Sequence, residues 1–334
     1  MGMRPMIAVV TRETRLVRLR SRWGTAAQAK FLLGQAHALD EERVGSRRSR
    51  RRSSQDAEPV AEVAEFSEYQ DEDDVYRRTL ARLERDLDFG YPIKFIDRAL
   101  IPNFDFWQCC AVVVAGQDGL VANTAKYVGN LPIVGVNPDP ARIDGVLLPF
   151  RPQQARAAVG RVLDEKYRSR PVTLAEVQLN DGQRMLAFND FFIGASSHVS
   201  ARYTLEIDGR LEPQSSSGVL VSTGAGSTGW LSSLFNMTSG ISQFLGGPGS
   251  GNIQLPWEDR RLVWAVREPF SSKHSSAQLV AGLLPDGQEL VIESLMPTGG
   301  VIFSDGIESD FLSFGTGTIA RVSAARQHAN LVIA

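Results

Sequence analysis

The run Ala111-Val112-Val113-Val114-Ala115 is broken by no polar residue and leads straight into Gly116-Gln117-Asp118-Gly119. Apolar residues that do not alternate, closed off by glycine, mark a strand buried on both faces, as in the centre of a parallel sheet covered by helices. Parallel neighbours need long crossover connections, and the flanking sequence supplies them. Ile7-Ala8-Val9-Val10 reads as an opening strand and Thr25 to Leu39 as a helix. Val75, Tyr76, Thr79, Leu80, Leu83 and Leu87 share one helical face. Strands at Ile93 to Ile96 and Ile133 to Val136, with a helix from Leu120 to Val128 between the latter and the central run, complete the pattern. A doubly wound parallel α/β domain is expected over residues 1–150.

Beyond Pro171 the period changes to two. Ala175, Val177 and Leu179 alternate with Glu176, Gln178 and Asn180, and Tyr203, Leu205 and Ile207 alternate with Thr204, Glu206 and Asp208. Half-buried antiparallel strands have this pattern. Further strands are expected at Arg261 to Arg267, Gln278 to Leu283, Leu290 to Glu293, Val301 to Phe303 and Thr318 to Val322, with Asp-Gly turns at 208, 286 and 305. An antiparallel β-rich domain is therefore expected over 151–334, its last segment returning to the first domain. Two domains suit 334 residues, since one core seldom grows beyond roughly 250 to 300.

Charge sets limits on partners. Six arginines fall between Arg43 and Arg52, and Glu58 to Asp74 is acidic, so 43–74 reads as a mobile, self-neutralising insertion. The whole chain carries a net charge of −2, which supplies no field for nucleic acid or a membrane surface. No apolar window approaches the length of a membrane span. The start of the chain enters the first strand without a signal-peptide pattern, and Met6 breaks the myristoylation motif. Cys109 and Cys110 are adjacent and are the sole cysteines, so no disulfide framework is implied and a cytoplasmic setting is expected. His37, His198, His274 and His328 lack metal-ligand spacing, and no protein-held metal is expected.

Three constellations carry chemistry. Gly116-Gln117-Asp118-Gly119 opens a helix, where glycine permits close approach and free N–H groups attract phosphate. Asp118 in that place suits a base for a substrate hydroxyl or a link to Mg²⁺; an ordinary strand-to-helix turn capped by Asp118 reads equally well. Ser215 to Trp230 runs from an apolar strand into Ser222-Thr223-Gly224-Ala225-Gly226-Ser227-Thr228-Gly229-Trp230, a loop of glycines and hydroxyls suited to a diphosphate. Asn189-Asp190, inside an apolar stretch, offers an amide and a carboxylate to a ribose or a base edge, or simply a turn between strands. Arg12 and Arg15, just past the first strand, stand where phosphate would meet the carboxyl edge of the sheet.

In this order the three pieces resemble the NAD kinase family, within the wider superfamily that includes diacylglycerol kinases. NAD kinases carry Gly-Gly-Asp-Gly-Thr after a strand, then Asn-Glu, then a Ser/Thr/Gly-rich loop. The mitochondrial-type branch is most similar, through Gly135-Val136-Asn137-Pro138-Asp139-Pro140-Ala141-Arg142, Ser216-Ser217-Gly218, Gly226-Ser227 and Trp230. The resemblance implies phosphorylation of the 2′-hydroxyl of NAD's adenosine ribose by ATP with Mg²⁺, in a homodimer or homotetramer. It makes Asp118 the base, with Gly116, Gln117 and Gly119 shaping the phosphate turn. Asn189 and Asp190 would hold the ribose or adenine, and Thr223, Gly226, Ser227, Thr228 and Trp230 would complete the pocket.

Three departures set expectations. Gln117 replaces the second glycine, which costs on the order of 1–2 kcal/mol if the position needs positive φ. Leu120 replaces threonine and removes a hydroxyl, and Asp190 is a methylene shorter than glutamate. The competing classes are a kinase of a sugar or lipid hydroxyl, a non-catalytic nucleotide-binding protein, and a nucleic-acid binder using Arg43 to Arg52.

Overall fold

The computed structural model describes residues 5–25, 27, 28, 30, 31, 60–249 and 251–334. Strand β1 (Met6–Thr11) pairs in parallel with β2 (Ile93–Asp97) on one side and β3 (Cys109–Ala115) on the other, and β3 pairs in parallel with β4 (Pro132–Val136). The resulting order β2-β1-β3-β4 reverses between β1 and β3. Their carboxyl ends therefore frame the switch-point crevice where open α/β sheets take ligands.

Helices cover both faces of this sheet. Leu83 of α2 (Val60–Asp86), Leu87 just past its end, and Ala155, Ala158, Val159 and Val162 of α4 (Ala155–Leu163) pack on Ile7, Val9, Val113 and Val134. Leu120, Val121 and Ala125 of α3 (Asp118–Ala125) pack on the opposite face with Ala8, Val112 and Val114. The α/β unit thus includes α4, which lies past residue 150.

In the second half, β5 (Ser169–Leu179), β6 (Arg184–Ala187), β8 (Ala201–Ile207), β9 (Arg210–Ser216) and β13 (Leu290–Ser294) extend the first sheet by antiparallel pairing. A separate antiparallel sheet is ordered β12-β11-β10-β7-β14-β15. Its strands are β7 (Asp190–Ala195), β10 (Val219–Ser222), β11 (Leu262–Val266), β12 (Ala281–Leu284), β14 (Gly300–Ser304) and β15 (Phe311–Ser313). The two sheets sandwich a core that includes Tyr203, Leu205 and Ile292 from one side and Phe191, Ile193 and Trp264 from the other. The expected architecture, α/β plus antiparallel β, is what the chain adopts.

The last strand, β16 (Ile319–Val332), joins the halves. It pairs with β13 and β5 in antiparallel fashion, and at Asn330–Leu331 it lies parallel to β4. The sequence-based strand of Thr318 to Val322 covers only its first third.

One helix was not foreseen and one expectation needs correction. α1 (Arg15–Trp23), started by the Thr14 side chain, which accepts from Val17 N–H, and closed by Gly24 at φ 78°, precedes the expected Thr25 to Leu39 helix, of which residues 27, 28, 30 and 31 are helical and most of the rest lies outside the described residues. The expected mobile insertion of 43–74 ends early, because residues 60–74 form the first half of α2. Its acidic residues are not a solvated block. Glu72 and Asp73 are buried, and they accept from Arg12, Arg15 and Thr14 beside β1. The arginine run from Arg43 to Arg52 lies outside the described residues.

Candidate active site

At the switch point, Arg12 follows β1 and Gln117 follows β3. Two cavities of about 430 and 530 Å³ open there, and Arg12, Arg18 and Gln117 line both. The smaller adds Arg15 and Arg142. The larger adds Arg98 and Asn123, together with Ser309 and Asp310 of the β half, so both halves of the molecule wall the crevice. Arg12 is held by an ion pair to Glu72 at 2.8 Å, a guanidinium hydrogen bond to Glu13 O at 3.2 Å, a ring contact with Tyr76 at 5.2 Å, and its backbone N–H bond to the Tyr76 hydroxyl at 2.9 Å. That hydroxyl in turn donates to Ala115 O at 2.9 Å, at the end of β3. Burial works to raise the Glu72 carboxyl, but hydrogen bonds from Arg15 and Arg12 prevail and hold it below the ordinary carboxylate range. Arg12 Nε is buried and has no hydrogen-bond partner among the described residues, so they satisfy this guanidinium only in part.

Asp118 begins α3, half-buried, and its Oδ1 accepts from Leu147 N–H at 2.7 Å. One carboxylate oxygen is thus fixed. Gln117 has φ −117° and ψ 165°, extended backbone that any residue adopts, so the strain anticipated for a non-glycine residue does not arise. Gly116 is required by packing, because a Cβ there would lie 2.7 Å from Leu120 Cδ2. Leu120 is itself in the core, and its N–H is taken up by Gln117 O at 2.9 Å. Gly119 faces open space: nothing lies within 4 Å of an added Cβ.

In the β half, the Asn189-Asp190 corner and the hydroxyl-rich loop are bound into one piece. Thr223 N–H donates to Asn189 O at 2.9 Å, and Thr223 Oγ1 donates to Phe188 O at 2.6 Å and accepts from Gly226 N–H at 3.2 Å. Ser227 Oγ donates to Gly224 O at 2.7 Å. These two hydroxyls shape the loop rather than face solvent, since Thr223 and Ser227 are fully buried. Thr228 is exposed. Glycine is compulsory at 224 and 226, where an added Cβ would meet Pro256 O at 1.9 Å and Asn189 O at 2.1 Å.

Trp230, which opens α5 (Trp230–Phe244), stacks on Phe192 at 5.8 Å, and Phe192 stacks on Phe303 at 4.9 Å. The Arg267 guanidinium lies 5.1 Å from the Trp230 ring centroid and 5.8 Å from that of Phe192. All four residues line a cavity of about 870 Å³. It is a surface suited to a planar, electron-rich ring with anionic groups nearby.

Asp305 links the two sets of residues. Its carboxylate accepts from Phe188 N–H at 3.1 Å and Asn189 N–H at 2.6 Å, while its own N–H donates to Asp190 O at 3.0 Å. Lys126, just past α3, donates to Ser304 Oγ at 2.8 Å and lies 3.5 Å from Asp305 Oδ2. The helix headed by Asp118 is thereby tied to the corner carrying Asn189. Burial drives Asp305 up and Lys126 down, each opposed by the other's charge. Asp190 is 6% exposed, and burial, with the Asp305 charge second, lifts its carboxyl to about 7.

The structure therefore brings together Asn189, Asp190, Thr223, Gly226 and Ser227. Of the turn after β3, Gln117 lines the crevice, and Gly116, Asp118 and Gly119 adjoin it along the chain; the turn is joined to the first group through α3, Lys126 and Asp305 rather than by direct contact. Reading the residues in order missed Lys126, Asp305, Arg18, Arg142 and Arg267. The Asp305-Gly306 turn was visible, and Arg142 lay inside the matched Asn-Pro-Asp-Pro segment; the others carried no local signal. Among the described residues, no group of three or more His, Cys, Asp or Glu side chains could hold a metal, and no helix is long and apolar enough to cross a membrane.

Fold and site together define a two-domain protein with a basic switch-point crevice on an α/β sheet and an aromatic, glycine-lined wall on a β-sandwich. The same fold occurs in the crystal structure of yeast NADH kinase complexed with NADH, with a TM-score of 0.55 at 16% identity, covering 99% of this chain and 84% of that one. No protein-family model matches the chain. NAD kinase of Pseudomonas aeruginosa is 31% identical over 131 residues, 36% of this chain and 43% of the relative. Human mitochondrial NAD kinase 2 is 27% identical over 251 residues, 61% of this chain and 55% of the relative. The chain spans about half the length of the curated relatives it matches. The curated NAD kinase relatives and the yeast NADH kinase neighbour support the NAD kinase family for this chain.

Proposed function

We propose that this chain is an ATP-dependent phosphotransferase whose acceptor is the 2′-hydroxyl of the adenosine ribose of NAD or NADH. The observation that carries this reading is the Lys126–Asp305–Asn189 linkage, which sets the helix headed by Asp118 and the Asn189/Thr223 corner in one rigid frame. A hydroxyl held by that corner and a phosphate chain held by Arg12, Arg15 and Arg142 would approach each other across the crevice. Positioning and charge neutralisation account for most of what a protein contributes to phosphoryl transfer.

In the proposed step the ribose 2′-oxygen forms a bond to the terminal phosphorus of ATP. The bond from that phosphorus to the β–γ bridging oxygen breaks, ADP leaves, and the hydroxyl proton passes to the free oxygen of Asp118. The Leu147 N–H fixes the other oxygen and keeps the carboxylate aimed. Trp230 and Phe192, with Arg267 above them, offer stacking to a base. Among the described residues no three-ligand metal site forms, and Mg²⁺ enters as the chelate of ATP. Gln117 and Leu120 favour an enzyme over a silent homologue: the first is unstrained, and the second lies in the core, so neither disables the turn.

The test is to incubate the protein with ATP, Mg²⁺ and NAD or NADH, and to measure product with an NADP-specific dehydrogenase. Asp118→Asn keeps an oxygen for Leu147 N–H, so it should fold normally and lose about 10²-fold or more in kcat. Full activity in that variant removes the assigned base. ATP consumption with a sugar or lipid acceptor but none with either dinucleotide removes the substrate.

A further inference from the structure

Beside the crevice, and sharing only Val75 and Pro138 with it, lies a cavity of about 780 Å³. One wall is α2, where Arg78, Arg82 and Arg85 recur at helical spacing and so stand on one stripe. Arg151 faces them from the segment before α4, and Pro138, Pro140 and Pro152 give that side a backbone of fixed φ. Among the described residues no carboxylate lines the cavity. Arg82 and Arg85 share Asp86, at 3.0 and 3.7 Å. Arg78 and Arg151 have no acidic partner among the described residues, although Asp74 precedes Arg78 by one turn. Asp139, which lines the adjoining crevice, is engaged by Arg142, as is Asp71. Four guanidiniums thus face one carboxylate. Like charges at i and i+4, here Arg78 and Arg82, weaken a helix slightly, and an anion in the cavity would relieve that repulsion.

We propose that this cavity is a second anion-binding site, separate from the reaction crevice, for a ligand with two or more phosphate groups in a row. At about 1.5 Å of rise per residue, Arg78 to Arg85 spans roughly 10 Å, longer than a single phosphate and suited to a short phosphate chain. The planar guanidinium fork matches phosphate oxygens in pairs. No aromatic side chain among the described residues lines the cavity, so they give a nucleobase nothing to stack on, and recognition falls on the phosphates whether they belong to a nucleotide or to inorganic polyphosphate. The proposal does not depend on the activity assigned above.

Calorimetric titration of the full chain with tripolyphosphate at low salt tests it. Two classes of site are expected. Arg78→Ala/Arg151→Ala should weaken one at least tenfold and leave the other, while Arg12→Ala/Arg15→Ala should do the reverse. Both Arg78 and Arg151 are exposed, so the first pair should keep its unfolding midpoint, and Arg78→Lys/Arg151→Lys should bind with intermediate strength. If the chain is what is recognised, ATP loses the same factor as tripolyphosphate at this site and adenosine does not bind it; adenosine binding there overturns the assignment. So does tripolyphosphate binding that Arg78→Ala/Arg151→Ala leaves unchanged, or that Arg12→Ala/Arg15→Ala abolishes entirely.

Discussion

Asp190 sits buried against Asp305, and no protein hydrogen bond reaches its carboxyl oxygens among the described residues. Its folded value of about 7, against 3.8 for an ordinary aspartate, means that between roughly pH 4 and 7 the native state keeps a proton that the unfolded chain has released. Stability is therefore full below the lower value and declines as pH rises through the upper one. Asp190→Asn removes this dependence. It should flatten the stability profile over pH 4–7 and, at pH 8, exceed the parent by on the order of 4 kcal/mol in urea unfolding. A parent protein that gains stability from pH 4 to 7, with Asp190→Asn following the same curve, contradicts the assignment. The adjacent pair behaves otherwise. Lys126 and Asp305 are both almost inaccessible, with side-chain exposures of 3% and 2%, so Lys126→Met should cost about 3–5 kcal/mol by leaving an unpaired charge. Lys126→Met/Asp305→Asn should cost markedly less than the two single changes together, a coupling that a double-mutant cycle reads directly. Asp305-Gly306 was legible as a turn, and both residues do take positive φ, at 55° and 70°. Its role as the hub was not legible, because the groups it binds, Phe188 and Asn189, precede it by 117 and 116 positions, and no local pattern registers a contact at that distance.

Among the elements, the loop from Thr223 to Gly229 shows how much of a motif serves the fold before it serves a ligand. Its glycines were read as room for a phosphate. At 224 and 226 the room is filled by the backbone of residues 256 and 189. Gly226→Ala should therefore push the loop off the Asn189 corner, lowering stability by roughly 1–3 kcal/mol and weakening dinucleotide binding with it. Gly119→Ala, where an added Cβ meets nothing, should leave stability within about half a kcal/mol, so any loss of ATP affinity there reports on the ligand alone. Thermal denaturation and ligand titration of the two variants separate these outcomes. Helix α2 illustrates the opposite error. Its acidic first half has low hydrophobicity and read as insertion, yet Glu72 and Asp73 are ordered by Arg12, Arg15 and Thr14, charges contributed by a different element. Composition measures a segment alone, whereas order here depends on what the segment meets. The central strand and the turn after it needed no such partner to be recognised, because an apolar run covered on both faces carries its environment in its own residues.

For the molecule as a whole, the strand that matters most is β16. Because it bonds to β4 of the parallel region and to β5 and β13 of the sandwich, the first sheet is continuous through both halves, and neither has an independent edge where they meet. Two domains joined by a linker would melt separately; a shared strand couples them. Unfolding followed by far-UV circular dichroism, which reports chiefly on the helices of the α/β half, should coincide with near-UV or fluorescence signals from Trp264 in the sandwich core. The coupling can be tested from one end. Ala329 is fully buried among residues of the α/β core, so Ala329→Asp places an unpaired carboxylate there, at a cost of several kcal/mol. If the sheet transmits the damage, both midpoints fall together and by the same amount. If the helical signal alone shifts while Trp264 melts as before, β16 is a contact between separable domains, and the rigid frame proposed to hold Asp118 opposite Asn189 loses its mechanical basis.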